Sequence, residues 1–408
     1  MSLSTIQPQT KNQTSLYQDR NLRVMLCVTL ISIIPIFSIN PTLAILAKAL
    51  SVSSQKIGLV VTAYLVPVAL GTPIFGFLAD RLGKKKILIP SLLLFALAGV
   101  LCATAADFPS LIKWRCLQGL GAASLEAVVI STLCDLYKGK NVTTAMALNA
   151  SAIGVGATIY PALGGILGDI NWRYPFFLSL LAIPVAVLVL LKLNLPKIKI
   201  DRVPFKIYAQ HIVDSVNNRS VVGLLIAVIG LFAIEFGAFY TFTPVFAGTM
   251  LNASGGFIGM MFSSNSIALA SIALLVGLFA RQLSEIKLIK GSFMIFALAL
   301  LLIFNVPDVG LLIIPSIIIG AVEAMAFPSI QALLAKFAPA GYRAGFMSVN
   351  VSVQAMGRAL GPILAAIALQ IGGMPAIFYG GAVATIVVLL LFHWLLTPVA
   401  TVKTHTSV

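Results

Sequence analysis

Apolar runs, each long enough to cross a bilayer core of about 30 Å at about 1.5 Å per residue, alternate with short charged or Gly/Pro breaks along most of the chain. They lie at 24–48, 57–79, 87–106, 110–133, 142–168 and 174–195, and after a polar stretch at 219–246, 256–281, 286–306, 309–334, 343–371 and 374–396. This pattern predicts an all-α polytopic membrane protein with 12 transmembrane helices. It divides into an N-terminal six-helix half (24–195) and a C-terminal six-helix half (219–396), joined by a central loop at 196–218 and flanked by tails at 1–23 and 397–408.

Composition sharpens this reading. Of 408 residues, 59% are hydrophobic and 10% charged, and the mean hydropathy is +1.04. A soluble domain carries about 25% charged residues, so a water-facing enzyme, a disordered chain and a disulfide scaffold are excluded. The net charge of +15 would suggest nucleic acid only if the cations shared one face. Instead 21 of 27 Lys and Arg fall in or beside segments on one side, four on the other, and Arg115 and Arg358 inside spans. That bias predicts cytoplasmic tails and central loop in a cell membrane, inner or plasma. Cys27, Cys102, Cys116 and Cys134 lack metal-like spacing and read as buried free thiols, while His211, His393 and His405 are scattered. Neither metal nor cofactor is expected.

The halves repeat. Gly76 pairs with Gly277, Gly119 with Gly320, Pro161 with Pro362 and Phe177 with Phe378, always 201 residues apart. Six spans per half give both copies the same orientation, which predicts a parallel repeat around a central cavity.

Between spans 2 and 3 the chain reads Gly76-Phe-Leu-Ala-Asp80-Arg81-Leu-Gly83-Lys84-Lys85-Lys86. Gly76 permits a close helix contact, Gly83 a tight turn, and the lysines meet anionic lipid. Asp80, alone among four cations, calls for a defined partner. The string closely resembles the signature loop of the major facilitator superfamily. The resemblance implies that Gly76, Asp80, Arg81 and Gly83 form a cytoplasmic latch between the halves. The corresponding Gly277-Leu-Phe-Ala-Arg281-Gln-Leu-Ser284 lacks the aspartate.

Span 4 carries Arg115-Cys-Leu-Gln118-Gly119-Leu-Gly121-Ala122-Ala123-Ser124-Leu-Glu126, similar to a motif of drug/proton antiporters within that superfamily. The spacing puts Arg115, Gln118 and Glu126 on one helical face. The resemblance gives Arg115 a part in proton coupling; the alternative is a structural tie between helices, to backbone or to a glutamate. In span 5, Gly154, Gly156, Pro161, Gly164 and Gly165 resemble the glycine-rich antiporter motif, with Tyr160 where that motif has glycine. Small residues there serve close packing, and Gly361-Pro362 is the corresponding pair in span 11.

Three of the 12 acidic residues lie within spans: Glu126, Glu235 and Glu323. Carboxyls in a low-dielectric cavity resist ionisation, so they can carry protons and hold cations. Glu126 and Glu235 are the candidates for coupling, with Arg115. Asn40, Gln118, Glu323, Phe239, Tyr240, Phe327 and Gln331 are the candidate cavity lining, where aromatic rings beside carboxyls suit lipophilic or cationic molecules. The expected activity is proton-coupled efflux by alternating access, the alternative a proton symporter importing a metabolite. The expected partners are a small-molecule substrate, protons and membrane lipids, with no nucleic acid, and the chain is expected to act as a monomer.

Overall fold

The computed structural model describes residues 18–137, 140–195, 218–337 and 343–396, with side chains at all of these except 80, 140, 143, 276–282 and 343–348. The outer parts of both tails and the central loop to residue 217 lie outside the described residues, as do the side chains of Asp80 and Arg281. Among the described residues the chain is helical, without strands.

Ten helices follow the apolar runs: α1 Arg20–Ala49, α2 Ser54–Ala79, α3 Lys84–Ala103, α4 Phe108–Leu136, α5 Thr144–Ile170, α6 Tyr174–Lys192, α7 Arg219–Met250, α8 Gly255–Leu275, α9 Glu285–Asn305 and α10 Val309–Phe337. An eleventh continuous run, Val349–Leu395, has 47 residues, twice what a bilayer needs. Its dihedrals leave the helical region at Gly372 (φ −141°, ψ 20°) and Gly373 (φ 70°, ψ −165°). We label the arms α11 (343–371) and α12 (374–395). They fold back on each other against α7: Gly357 meets Ile229, while Val388 meets Gly230.

The 201-residue offset recurs in three dimensions. Asp107 starts α4 by accepting a hydrogen bond from the Ser110 amide (2.9 Å), and Asp308 starts α10 by accepting from that of Gly310 (2.7 Å). A Cβ on Gly119 would stand 2.3 Å from the Tyr64 carbonyl oxygen, and one on Gly320 2.1 Å from that of Asn265. Lys84 pairs with Asp135, and in the matching place Lys336 donates to Glu285 at 2.6 Å. The last pair is inverted in sign.

The halves meet along α5 and α8, at the end opposite the basic loops. Asp169 accepts hydrogen bonds from the backbone amides of Gly255 and Gly256, both at 2.7 Å. Deeper in, Ser263 donates to the Thr158 carbonyl (2.6 Å) and Ser266 to that of Ala157 (2.8 Å). Glycine allows this approach, since a Cβ on Gly165 would lie 2.0 Å from the Gly255 oxygen and one on Gly259 2.2 Å from that of Pro161; within the N-terminal half, one on Gly164 would lie 2.1 Å from that of Ser38 on α1. On the symmetry-related flank, α2 and α11 leave a cleft of about 530 Å³ lined by Ser53, Gln55, Lys56, Thr62, Pro362 and Gln370. Gln370 occupies the position matching Asp169, 201 residues on.

Four expectations need correction. A Cβ on Gly154 would meet no packing neighbour within 4 Å among the described residues, so it is not a packing glycine. Gly76 would accept a Cβ at an ordinary 3.9 Å from Ala127. Lys84 and Lys85 turn inward, to Asp135 and to the Leu193 carbonyl oxygen (3.3 Å), because the loop packs over the ends of α4 and α6. Of the cysteines only Cys102 is buried, and Cys134 is exposed, since an apolar helix face can look out at lipid. Within the loop Gly83 has φ 102°, a left-handed backbone that favours glycine, and Arg81 stacks 4.3 Å over Phe77.

Candidate functional site

Helix α7 changes its winding where its carboxylate sits. An ordinary helix to Ile234 gives way to a π segment over Glu235–Phe242. Pro244 cannot donate a backbone hydrogen bond, which frees a carbonyl in the preceding turn. The hydroxyls of Thr241 and Thr243 donate to carbonyls five residues back, Phe236 at 2.6 Å and Ala238 at 3.0 Å. π segments of this kind cluster at functional sites. Here α11 crosses closely, a Cβ on Gly237 falling 2.5 Å from the Gly361 oxygen. That crossing carries Arg358, one turn before Gly361, to the flank of α7.

Two carboxyls and a guanidinium converge there. Glu235 is 1% exposed, and among the described residues no donor group reaches its carboxyl oxygens; its polar neighbour is the carboxyl of Glu323, close enough to share a hydrogen bond when one of the two is protonated. Glu323 of α10 is half-buried, its Oε2 unpaired, and it stands within electrostatic reach of Glu235, with Arg358 acting on both. Arg358 lies 4.8 Å over the Phe232 ring and 5.6 Å from that of Phe236, its Nε unpaired. Burying charge without hydrogen bonds is costly, so a cluster of unsatisfied polar atoms at one point suits a group that binds and releases something.

Aromatic rings surround the cluster. Phe232 meets Phe327 edge-on at 5.4 Å, and Phe239 meets Phe262 at 5.2 Å. Tyr240 donates to Asn265 Oδ1 at 3.2 Å, and Asn265 in turn donates to the Ser316 carbonyl at 3.0 Å, tying α7 to α8 and α10. Phe37 of α1 stands 6.0 Å from Tyr240, so the site borders the opposite half. In that half Asn40 is buried with both amide atoms unpaired. Gln331, lower on α10, accepts from Asn350 Nδ2 at 2.7 Å.

The span 4 residues do something different. Arg115 is fully buried and donates to the carbonyls of Val60 (3.0 Å) and Pro35 (3.4 Å) and to Gln118 Oε1 (2.8 Å), with the Tyr64 ring 4.6 Å away. It thus ties α1, α2 and α4 through backbone carbonyls. Gln118 passes the network on to Ser179 at 2.8 Å. Expected in the cavity, it lies inside the N-terminal half with both ends of its amide engaged. Glu126, further along α4, is exposed and stands within electrostatic reach of Tyr64.

Sequence reasoning left Arg358 and Asn265 without roles. An arginine inside a span was the available signal for Arg358; Asn265 had none beyond its polarity.

The sequence pattern of the Major Facilitator Superfamily matches residues 25–254 and 225–407. The chain is 32% identical over 164 residues to the bacillibactin exporter of Bacillus subtilis, 38% of this chain and 41% of that protein. It is 24% identical over 330 residues to the quinolone resistance protein NorA of Staphylococcus aureus, covering 80% of this chain and 84% of that one. Thus the match spans two fifths of the first relative and most of the second. Among solved structures, a D-xylose-proton symporter superposes with a TM-score of 0.68 at 16% identity, covering 93% of this chain and 97% of that one.

Proposed function

The chain belongs to the major facilitator superfamily and is a membrane transporter, and on that footing we propose that it exports small lipophilic or cationic organic molecules in exchange for protons. The observation that carries this reading is the convergence of Glu235, Glu323 and Arg358 beside aromatic rings. A carboxyl that is costly to ionise in the membrane loads a proton readily, and when charged it attracts a cation. Proton and cargo then compete for the same oxygens. Compared with the sequence expectation, this reading keeps Glu235 as a coupling carboxyl, adds Glu323 and drops Glu126 and Arg115.

In this reading the basic end faces the cytoplasm, the two arms α11 and α12 are separate spans, and twelve helices cross the membrane. The α5–α8 contact then closes the outer side. The halves rock about the site, and the loop at Gly76–Gly83 bears on the cytoplasmic rim.

The test is transport of ethidium in everted vesicles under an imposed pH gradient. Glu235→Gln and Glu323→Gln should each lower the proton-driven rate about tenfold or more, as expected when a proton-transfer group is lost. Full coupled transport by both variants would sink the assignment. Symport inward is the second reading, favoured by Tyr160 in place of the antiporter glycine and by the lack of an acid in α1. The direction in which substrate moves under the gradient separates the two.

A further inference from the structure

We propose that the cleft between α2 and α11 binds an organic carboxylate, which bridges the two halves there as Asp169 bridges them on the opposite flank. The site is separate from the cluster around Glu235 and owes nothing to the direction of transport or to its coupling ion.

The internal repeat supplies the template. The turn before α8 passes through Asn252 with φ 53°, and the turn before α2 through Ser51 with φ 52°, two left-handed residues 201 apart. Gly255 and Gly256 therefore correspond to Ser54 and Gln55, which open the 26-residue helix α2. At α8 the first three amides are all taken. Asp169 accepts those of Gly255 and Gly256 at 2.7 Å, and the Ser254 hydroxyl accepts that of Phe257 at 3.1 Å. At α2 the Ser53 hydroxyl caps nothing, and the Lys56 amide turns back to the Ser53 carbonyl at 3.0 Å. The amides of Ser54 and Gln55 have no partner among the described residues. Gln370 stands at the position of Asp169 and lines the same cleft, but it brings no negative charge. Open amides at the positive end of a helix take an anion, and the other half shows that here the anion is a carboxylate.

The rest of the cleft describes what the carboxylate is attached to. Lys56 is the one charged residue among its described lining, and no carboxylate pairs with it among the described residues. Thr62 follows Gln55 by seven residues, on the same helical face and about 10 Å deeper. It is 8% exposed, lines the cleft, and its hydroxyl has no hydrogen-bond partner among the described residues. Leu59 lies between the two on α2, while Pro362 and Ile363 contribute apolar surface from α11. A cleft of about 530 Å³ is of small-molecule size. The occupant that fits is an acid whose carboxylate meets the free amides and Lys56, with a short apolar body and a second polar group that reaches Thr62.

The test uses the full-length chain purified in detergent, with 3-(4-hydroxyphenyl)propanoate as the probe and saturation-transfer NMR as the readout. The acid should bind with a dissociation constant of about 1 mM or below. Its neutral primary amide should bind about tenfold more weakly or worse, since it forfeits the charge-assisted bonds to the amides. Lys56→Gln should weaken the acid about threefold to fivefold, the scale of an exposed ion pair. Gln370→Asp places the carboxylate of the other half in this one and should exclude the acid about tenfold or more. Lys56 and Gln370 are both exposed, so these substitutions leave the packing intact. An amide that binds the wild type as tightly as the acid overturns the proposal without needing any variant. Binding that persists unchanged in both Lys56→Gln and Gln370→Asp overturns it as well, because the acid would then sit elsewhere.

Discussion

Asp169 and Gly255 belong to different halves of the molecule, and a 2.7 Å hydrogen bond joins them. The second oxygen of Asp169 takes the next amide, Gly256, so one carboxylate caps the first turn of α8 from the end of α5. A negative group at a helix N-terminus meets both free amides and the positive end of the helix dipole. Asp169→Ala removes these bonds while leaving the glycine packing around them. The expected result is a looser contact at this end: a cysteine placed at Ser263 should react with a water-soluble maleimide several-fold faster than in an otherwise unchanged protein. Equal reactivity would show that the glycine contacts close this end by themselves.

Glu235 and Glu126 should separate cleanly in transport. Glu235 is buried beside Glu323 and Arg358, while Glu126 is exposed on α4. Glu235→Gln is expected to lose about tenfold or more of proton-driven efflux. Glu126→Gln should lose about twofold or less, as suits an exposed carboxyl outside the coupling cluster. Initial rates under one imposed pH gradient compare them directly, and a larger loss at Glu126 would return coupling to the N-terminal half.

Arg115 should prove to be a structural tie. It holds acceptors on three helices, and hydrogen bonds to a charged donor contribute about 1.5–3 kcal/mol each. Arg115→Ala should cost about 3 kcal/mol or more, seen as a large fall in the thermal midpoint in detergent. Arg115→Lys keeps the charge but not the forked geometry, and should recover only part of the loss. An unchanged midpoint with abolished proton coupling would assign Arg115 to the transport chemistry instead.

The glycines of α5 should divide by what faces them. An added methyl at Gly164 or Gly165 would overlap a backbone oxygen at 2.1 or 2.0 Å, and overpacking costs about 1–3 kcal/mol. Gly154→Ala, with open space around it, should be neutral or stabilise by up to about 1 kcal/mol through helix propensity. Thermal unfolding of the three alanine variants distinguishes them.

The inverted ion pairs make a further prediction. Lys84→Glu faces Asp135 with a like charge and should lower stability by about 1 kcal/mol. Adding Asp135→Lys should restore most of it, because Glu285 and Lys336 already sit that way round in the same place. A double variant no better than the single one would show that the backbone around Lys84 accepts one polarity only.

Much of the architecture was legible because it follows from residue spacing. The apolar runs mark the helices, and Gly119 and Gly320, picked out by their common offset, turn out to meet equivalent backbone atoms at Tyr64 and Asn265. What the spacing could not carry was the site. A face drawn on a straight helix puts Glu126 with Arg115, but the neighbours along that face differ, since Arg115 is enclosed by α1 and α2 while Glu126 is exposed. The π segment likewise rotates Phe239 and Tyr240 away from where a regular helix would set them. Glu235, Glu323 and Arg358 lie on three helices far apart in sequence, and only the Gly237–Gly361 crossing brings the third of them in. No local pattern records that crossing.

The reversed polarity of the rim pairs also bears on the molecule's past. If the halves descend from one ancestral copy, Lys84–Asp135 and Glu285–Lys336 cannot be connected by a single substitution. Any one-step route passes through a pair of like charges or a pair with one partner missing. At least one lineage tolerated that interval, which means the two copies were already diverging under separate constraints when it happened. A contact that keeps its place but not its polarity in the two halves is therefore a record of how independently they have changed.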